Sequence, residues 1–354
     1  MAYETVNALL KKPSEWLRGV GPSSEIVISS RIRLARNLEP YPFATRATRV
    51  SQGEVLKSVK DGVAQTGLKH PLVLEMGELD EVDRQFLVER HLISREHITH
   101  PDRKAVVIGE GEVISIMVNE EDHLRIQAMQ SGMNLKDAWV LINDLDDELS
   151  EVLSYAYSSE WGYLTCCPTN TGTGMRASVM VHLPSLVITK QINKVLHTIT
   201  KLGLTARGLF GEGTEASGNF FQISNQVSLG RSEEELIENI ERILREVVHQ
   251  EQTAREALLA NNRTQLEDRI WRAFGVLQHA KTIASTEALD LLSAVRLGVD
   301  LTLMNNGIDR TVVNELFIFS QPAHLQKLEG KTLTAKERDM KRAELIRRRL
   351  GGLA

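Results

Sequence analysis

The pattern of apolar residues changes near residue 256, and this change limits the folds that the chain can adopt. Before it, short β-rich runs alternate with helical stretches, whereas after it no run has the character of a strand. Mixed and all-helical segments bury their apolar residues in different ways, so the change predicts two units. We predict an α+β body over residues 25–255, preceded by a short N-terminal segment over 1–24 and followed by an all-helical unit over 256–354. The polar run Asn261-Asn262-Arg263 is the candidate break between them.

Individual elements can be predicted inside the body. Val113–Val118 and Ala105–Ile108 flank Gly109-Glu110-Gly111, a pattern typical of a hairpin. Apolar residues at helical spacing predict one helix over Ser185–Leu202. Further strands are predicted at Ile26–Ile28, Val179–Leu183 and Phe220–Ile223. Three Ser/Thr-x-x-Glu pairs predict helix starts: Ser232 with Glu235, Thr264 with Glu267, and Thr334 with Glu337.

Composition excludes several classes of protein. The chain has 354 residues with 42% hydrophobic and 25% charged residues and a net charge of −5, so two domains of a globular protein are expected and no global charge favours nucleic acid or a membrane. The first residues lack the basic start and apolar core of a signal peptide, and no apolar run has the length of a membrane span. The two cysteines, Cys166 and Cys167, are adjacent and cannot form a disulfide framework. We expect a cytoplasmic protein.

A cysteine followed by glycines and an arginine is the first chemical motif. In Cys167-Pro-Thr-Asn-Thr-Gly-Thr-Gly-Met-Arg176-Ala-Ser-Val179, a thiol at a turn precedes two glycines that let backbone approach a ligand. Arg176 can contact a phosphate through several hydrogen bonds. The run indicates a site for a phosphorylated ligand beside a reactive group, although a tight turn with an exposed arginine has the same pattern.

Three more motifs carry charge. Asn119-Glu120-Glu121-Asp122-His123-Leu124-Arg125 follows a strand and places three carboxylates together, which favours a site but also suits a solvated acidic turn. Arg31 and Arg33 alternate in a strand and therefore share one face, which could bind polyphosphate or pair with acids. The glycine-rich segment 207–216 begins with Arg207 and contains Glu212, and by itself it could be a flexible connection.

Taken in order, the four motifs resemble the catalytic domain of the phosphagen (guanidino) kinases. They read SSRIR, NEEDHLR, CPTNTGTGMRAS and RG…GEGTEA…QISN, and the resemblance runs from about residue 25 to about residue 248. Within that family the chain is most similar to the bacterial protein-arginine kinases, which lack the family's large helical N-terminal domain and add a helical C-terminal one. The resemblance implies a central antiparallel sheet flanked by helices, plus an all-helical C-terminal domain.

The resemblance also implies an ATP site with a cage of arginines. The matching cage residues are Arg31, Arg33, Arg125, Arg176 and Arg207, with Mg²⁺ bridging the phosphates. His91 matches a histidine that packs on the nucleotide, and an amphipathic helix around it would equally suit a structural histidine. Met180 stands where the family has a second nucleotide-side histidine, so the adenine contacts are expected to differ. The remaining ATP-contacting positions implied by the family are Ser29, Ser30, Ile32, Ala177, Ser178, Val179, Met180, Gly208, Leu209, Phe210, Gly211 and Glu212.

On the acceptor side, the resemblance implies three catalytic residues. A guanidinium is a poor nucleophile and must be oriented and deprotonated by carboxylates. Glu121 matches the catalytic base, Glu212 the opposing carboxylate, and Cys167 the family cysteine, which would help to hold the cationic acceptor.

The C-terminal unit contains one motif of its own. Arg338 and Arg342 lie one helical turn apart, with Asp339 and Ala343 beside them, and in protein-arginine kinases this RDxxRA pattern is an allosteric phosphoarginine-binding site. A basic, solvated helix end is the alternative. The resemblance also implies a homodimer, a zinc-binding activator protein, a Clp-type protease as a partner, and the marking of stress-response regulators or damaged proteins for degradation.

These inferences predict an ATP-dependent kinase that phosphorylates arginine side chains in proteins, with an allosteric response to phosphoarginine. A kinase of free arginine or another small guanidine is an alternative, as is a weakly catalytic protein that reads phosphoarginine. A P-loop enzyme or a conventional protein kinase is excluded because neither G-x-x-x-x-G-K-[ST] nor H-R-D occurs in the sequence. No nucleic-acid-binding motif is present either.

Overall fold

The computed structural model describes residues 2–10, 14–208, 217–304 and 307–351. None of the helices in these ranges is both long enough and apolar enough to cross a membrane.

An eight-stranded antiparallel sheet forms the centre of the molecule. Its strand order is β2-β3-β4-β5-β1-β8-β10-β9, and β6 and β7 pair separately. The strands are β1 Val27–Arg36, β2 Leu72–Glu75, β3 Ala105–Ile108, β4 Ile114–Val118, β5 Leu124–Ser131, β6 Tyr157–Ser158, β7 Gly162–Tyr163, β8 Met175–His182, β9 Leu204–Arg207 and β10 Phe220–Asn225. The predicted hairpin is confirmed as β3–β4.

Helices flank the sheet and make up the C-terminal part of the chain. They are α1 Ala2–Leu9, α2 Arg49–Val63, α3 Glu81–Glu89, α4 Leu135–Val152, α5 Pro184–Ile188, α6 Ile192–Lys201, α7 Glu233–Asn261, α8 Arg263–His279, α9 Ser285–Asp300, α10 Arg310–Phe319, α11 Pro322–Glu329 and α12 Ala335–Arg349. The predicted α+β body with a helical C-terminal part is thus confirmed. The helix α7 runs through the predicted 255/256 boundary and ends at the predicted polar break.

One face of the sheet is covered by helices of the body. Alternate residues of β1, such as Ile32 and Leu34, are fully buried on this face, because side chains of a strand point to opposite sides in turn. They join α2, α4 and α7 in the largest apolar cluster. The other residues of β1 are therefore directed to the opposite face, where the candidate site lies.

The opposite face is divided into two regions. At one end Met129, Met180 and Phe220 are buried together with Trp16 of a short 3-10 turn, Glu15–Leu17, and with helices α8, α9 and α10. At the other end the face carries arginines. The C-terminal helices therefore share a second apolar cluster with residues on this face of the sheet.

Two sequence predictions about helices are wrong. The single helix predicted over Ser185–Leu202 is two helices, α5 and α6, because Lys190 has φ 60°, a left-handed conformation that ends a helical path. The predicted cap at Thr264 is not formed, since α8 begins at Arg263 and Glu267 accepts a hydrogen bond from the Arg263 side chain instead (2.8 Å).

The other two predicted helix starts are confirmed. The Ser232 hydroxyl accepts from the Glu235 backbone N–H while the Glu235 carboxylate accepts from the Ser232 N–H, and Thr334 and Glu337 do the same. These reciprocal bonds satisfy backbone donors that a helix start would otherwise leave free.

Candidate active site

The five arginines of the four motifs lie on one face of the sheet. Strand pairing places Arg33 opposite Arg176 on β8, and Arg125 opposite Ala35, two residues along β1. Gln222 of β10 pairs with both Met180 and Arg207, which brings the fifth arginine to the same face. Because directly paired residues share a face, the register gathers arginines from four strands that are far apart in sequence.

These arginines repel one another electrostatically. Burial and the charges of Arg125 and Arg176 lower the pKa of Arg31 to about 9. The same causes, with Arg31 added, lower the pKa of Arg33 well below its usual value. A surface that crowds cations in this way favours the binding of a polyanion, because an anionic ligand would relieve the repulsion.

Glu120 partly compensates this charge. Its carboxylate accepts hydrogen bonds from Arg125 Nη1 at 2.8 and 2.7 Å and from the Ser94 hydroxyl at 2.6 Å. Despite burial, these contacts lower the pKa of Glu120 to about 2. The sequence motifs predicted neither Ser94 nor this role for Glu120, since Ser94 is outside the motifs and only the fold brings it near.

Hydroxyl groups on the same face orient the arginines. The Ser224 hydroxyl accepts from Arg176 Nη2 at 3.1 Å, and the Ser178 hydroxyl accepts from Arg31 Nε at 3.4 Å. Ser178 was expected in the site, whereas Ser224 was not. The QIS segment around Ser224 was part of the fourth motif, and its place opposite Ser178 could have indicated the contact.

The remaining ATP-contacting positions predicted on β1 and β8 divide between the two faces. Ser29, Ser178 and Met180 line an open cleft on the arginine face. Ile32, Ala177 and Val179 have buried side chains in the opposite core. Ser30 is also directed away, and its hydroxyl donates to the Gly132 carbonyl (2.8 Å). The side chains of these four residues, Ser30, Ile32, Ala177 and Val179, therefore point away from the cleft and cannot contact a ligand in it.

His91 lines the cleft, but it does not lie in a helix as the sequence suggested. The helix α3 ends at Glu89, and His91 has φ 60° in the turn that follows. Burial and the charge of Arg31 lower its pKa to about 3, so the imidazole is neutral. Its ring meets that of Trp16 edge to face, with centroids 5.3 Å apart.

The turn between β4 and β5 carries the acidic motif. Asn119 begins it with φ 58°, and its side-chain amide donates to the carbonyls of Gln52 and Arg103 at 2.8 and 2.7 Å. His123 ends it, with Nδ1 accepting from the Leu38 N–H and Nε2 donating to the Pro42 carbonyl. These bonds fix the ends of the turn and leave Glu121 at its exposed tip.

Glu121 has the properties of a candidate base. Partial desolvation, the adjacent carboxylate of Asp122 and that of Glu120 raise its pKa. A raised pKa makes a carboxylate a stronger proton acceptor, which suits general base catalysis.

Asp122 and Asn37 join the acidic turn to the cysteine motif. The buried Asp122 carboxylate accepts from the Cys166 backbone N–H (2.7 Å) and from the Asn37 side-chain amide (2.6 Å). Residues 121–122 and 166–167 are therefore neighbours. The role of Asn37 was not predicted, because this residue follows the end of β1 and belongs to none of the motifs.

The two cysteines lie in different surroundings. Cys167 Sγ contacts the Thr169 hydroxyl at 3.0 Å in the turn that Pro168–Asn170 forms. Burial and the charge of Asp122 raise the pKa of Cys166 to about 11, so Cys166 remains a thiol at neutral pH. Both cysteines are only partly buried.

The glycines of the cysteine motif serve packing within the protein. A Cβ on Gly174 would lie 2.5 Å from Arg36 Nη1, and one on Gly172 would lie 2.8 Å from Leu229 Cα. These glycines therefore let the loop lie close to its own scaffold. Arg36, bonded to Asp146 and to the Thr173 carbonyl (2.9 Å), holds this loop and was not anticipated.

Part of the predicted site lies outside the described residues. Arg207 and Gly208 are described at the end of β9, but Leu209, Phe210, Gly211 and Glu212 are not. Glu121 and Cys167, on the acceptor side, lie within the described residues.

The C-terminal motif lies on α12 in a bonded cluster. Arg342 is buried and donates to the carbonyls of Ser320 and Ile283, both at 2.8 Å, and to Asp339 at 2.5 Å. Arg338 donates to the Leu333 carbonyl at 2.9 Å and is partly exposed. Ala343 is fully buried and packs in the helical core.

Comparison with known proteins gives concordant results. The profile of the family described as "ATP:guanido phosphotransferase, C-terminal catalytic domain" matches residues 54–254, and that of "Protein-arginine kinase McsB C-terminal domain" matches residues 263–354. The chain is 50% identical over 345 residues to the protein-arginine kinase of Desulforamulus reducens, covering 96% of each chain.

Two further relatives extend this comparison. The protein-arginine kinase of Halothermothrix orenii is 50% identical over 340 residues, which cover 96% of this chain and 97% of that protein. Among solved structures, the duplicated taurocyamine kinase from Schistosoma mansoni with bound transition state analog components superposes with a TM-score of 0.61. It has 26% sequence identity, over 69% of this chain and 35% of that one.

Proposed function

Because the chain belongs to the protein-arginine kinase family of ATP:guanidino phosphotransferases, we propose that its arginine face binds the ATP triphosphate and that Glu121 activates the acceptor. The enzyme is a protein-arginine kinase, and its family uses ATP as the phosphoryl donor. Each step of this reaction can be assigned to particular residues of the chain.

The arginine face supplies the electrostatic part of catalysis. During transfer the γ-phosphoryl group carries negative charge on its oxygens, and fixed cations stabilise that charge. Arg31, Arg33, Arg125, Arg176 and Arg207 form the proposed cage. The single observation that carries the proposal is that the strand register gathers these five arginines on one face, where burial and their mutual repulsion lower the pKa of Arg31 and Arg33.

Magnesium fits this site as a companion of the nucleotide. Among the described residues no group of three or more His, Cys, Asp or Glu side chains is arranged to hold a metal ion. Mg²⁺ commonly retains water and phosphate ligands, and when bound it would neutralise part of the phosphate charge. We propose that the triphosphate, held by the arginines, provides most of its ligands.

The acceptor arginine would be deprotonated by Glu121. A guanidinium nitrogen attacks the γ-phosphorus, the bond from phosphorus to the bridging oxygen breaks, and ADP leaves with that electron pair. The guanidinium proton passes to the Glu121 carboxylate. Cys167 and Glu212 are proposed to hold the cationic side chain, Cys167 because its loop is tied to the acidic turn through Asp122.

A paired-acceptor assay tests this function. Labelled ATP is supplied with a folded arginine-rich protein or with free arginine, and the product is tested for loss of label in mild acid and retention in mild base. We expect acid-labile label in the protein. Label confined to free arginine would favour a kinase of free arginine or another small guanidine. The similarity to a taurocyamine kinase is the reason to test that alternative. Undiminished labelling by Glu121→Gln would refute the assigned base.

We also propose that Arg338, Asp339, Arg342 and Ala343 form a regulatory phosphoarginine site. The partly exposed Arg338 is suited to meet a phosphoryl group, whereas Arg342 is held by Ser320 and Ile283 and would orient α12. Free phosphoarginine should stimulate the native enzyme and should stimulate Arg338→Ala less. Lys336→Ala, on an exposed part of the same helix, is the matched control, and equal stimulation of all three proteins would exclude the site.

The proposed cellular role derives from membership of the family. We propose a cytoplasmic homodimer that marks stress-response regulators or damaged proteins for a Clp-type protease and that responds to a zinc-binding activator. Proteomic detection of phosphoarginine, with and without the gene under heat stress, would test the marking.

A further inference from the structure

The cleft on the arginine face has two chemically different ends. Arg31 and Ser178, which pair across β1 and β8, line the part next to the other arginines, and Met180 lies two residues further along β8. Trp16 and Met129, the β5 partner of Arg31, add apolar surface to the lining. ATP has the same polarity, with a charged tail and a flat base. If the tail lies on the arginines, as the proposed function states, the base lies against the apolar end. Ser29 lines that end and lies four residues before Arg33 on β1, which is about 13 Å along the strand.

Trp16 forms a wall of this apolar end although it belongs to the N-terminal segment. It is only 3% exposed, and its ring contacts that of His91 edge to face. Neutral His91 and Trp16 thus present aromatic surface to the cleft. Aromatic surface of this kind suits a planar base, because stacking and edge contacts do not require a charge.

The indole N–H of Trp16 is a buried donor without an acceptor. Nε1 has no hydrogen-bond partner among the described residues. An indole can only donate, and a buried donor left unpaired reduces stability, so such a group calls for an explanation. A ring nitrogen of a nucleobase in the cleft would supply the acceptor.

Hydrogen bonds from both parts of the molecule fix the segment that carries Trp16. Before it, the Ser14 hydroxyl donates to Glu112 at 2.7 Å and accepts from Arg90 at 2.9 Å. After it, the Leu17 carbonyl accepts from Asn314 of α10 at 3.2 Å. The position of Trp16 is thus set jointly by the body and by the helical C-terminal part.

We propose that Trp16 recognises the adenine base of ATP, with its indole N–H donating to a ring nitrogen, and that α10 holds it in that position. Gln222, which lines the same cleft, lies where its amide can serve the polar edge of the base. The helical part of the chain therefore contributes to nucleotide affinity through a residue outside both matched family regions. This inference rests on the proposed placement of the triphosphate.

The test separates the base from the phosphates. Affinities for ATP and for inorganic tripolyphosphate are measured on Trp16→Phe, which keeps an aromatic ring but removes the N–H. Loss of one hydrogen bond should raise the Kd and KM for ATP about fivefold, with kcat at saturating ATP and the affinity for tripolyphosphate unchanged. Trp161→Phe, at an exposed position, is the matched control and should bind both ligands as the native protein does.

The outcomes distinguish this inference from the proposed function. Unchanged ATP affinity in Trp16→Phe, or an equal loss for ATP and tripolyphosphate, would overturn the role of Trp16. Arg33→Gln should weaken both ligands. If it weakens neither while Trp16→Phe weakens ATP alone, the phosphate assignment fails and the base contact stands.

A second measurement applies if Trp16→Phe does not fold. In the native protein, adenosine should quench tryptophan fluorescence and tripolyphosphate should not. The quenching should persist in Trp161→Phe and Trp271→Phe, whose indoles are exposed. Absence of quenching by adenosine at concentrations that inhibit the kinase would contradict the proposal.

Discussion

Charges are arranged in opposite ways in two regions of this molecule. On the arginine face, cations crowd cations, and at the tip of the acidic turn carboxylates crowd carboxylates. Where the helical part meets the body, buried charges meet partners of opposite sign. Arg296 lies 3.1 Å from Asp300, and Arg310 lies 2.6 Å from the same carboxylate.

The difference indicates which charges serve the fold and which serve a ligand. Arg296 also donates to the carbonyls of Ser24 and Glu25, in the turn that precedes β1. Removing it would leave several buried groups unpaired. Arg33 is held in a repulsive environment, which costs stability and which a polyanion would relieve. Stability and activity should therefore respond in opposite ways to substitutions in the two regions.

The largest effect is expected from Arg33→Gln. Loss of one well-placed arginine lowers kcat/KM on the order of 10³–10⁵-fold in other phosphoryl-transfer enzymes. Because the change removes a repelled cation, the melting temperature should stay the same or rise. Steady-state kinetics and thermal unfolding on one preparation measure both quantities. A large fall in melting temperature would show that Arg33 stabilises the fold. It would contradict the distinction between charges that serve the fold and charges that serve a ligand.

Glu121→Gln should have the next largest effect, on rate and on pH dependence. Removal of a general base typically costs about 10²–10⁴-fold. Partial burial and the neighbouring carboxylates raise the pKa of Glu121 above its usual 4.5. Because the base works only when ionised, activity of the native enzyme should fall as pH drops through that raised value. The variant should lose this acid limb. An identical profile in both proteins would assign the proton transfer to another group.

Arg296→Met tests the paired region. Breaking a buried, paired charge usually costs about 3–5 kcal/mol, because the partner is left uncompensated. The free energy of unfolding in denaturant should fall by this amount. The control is Arg272→Met, whose ion pair with Asp268 is exposed and should contribute less than about 1 kcal/mol. Equal, small losses in both variants would remove the distinction between the two regions.

Local sequence rules predicted the arginine face but not the buried charge pairs where the helical part meets the body. Alternation in a strand was sufficient to place Arg31 and Arg33 on one face with Ile32 opposite, because it depends only on strand geometry. The caps at Ser232 and Thr334 are equally local and are confirmed.

Predictions that depended on contacts distant in sequence were missed or wrong. In the sequence, Trp16 belongs to an N-terminal segment without a recognisable motif. Its position in the cleft depends on α10, whose Asn314 binds the neighbouring Leu17 carbonyl. Thr264 has the pattern of a cap, but α7 continues to Asn261 and α8 begins at Arg263, two residues before the start that a cap at Thr264 would require. Neither outcome follows from the local sequence pattern alone.

The smallest expected effect concerns Glu89, a carboxylate of the body that lies at the start of α11. It accepts from the backbone N–H groups of Ala323 and His324, and burial raises its pKa to about 7. The charges of Arg338 and Arg342 oppose that rise, and the pKa of His324 is lowered far enough to keep this residue neutral. Since the folded pKa exceeds the unfolded value of 4.5, the contribution of Glu89 to stability is complete below 4.5 and is lost as pH rises through about 7.

This loss should amount to at most about 3 kcal/mol between pH 5 and pH 8. Glu89→Gln resembles the protonated carboxyl and cannot ionise. As the pH rises from 5 to 8, the unfolding free energy of the variant should therefore increase relative to that of the native protein. Denaturant titrations at both pH values measure it. A difference that does not change with pH, or that moves the other way, would show that the hydrogen bonds at α11 outweigh burial. Glu89 would then resemble Arg296, whose charge is paired, rather than Arg33, which lies among other cations.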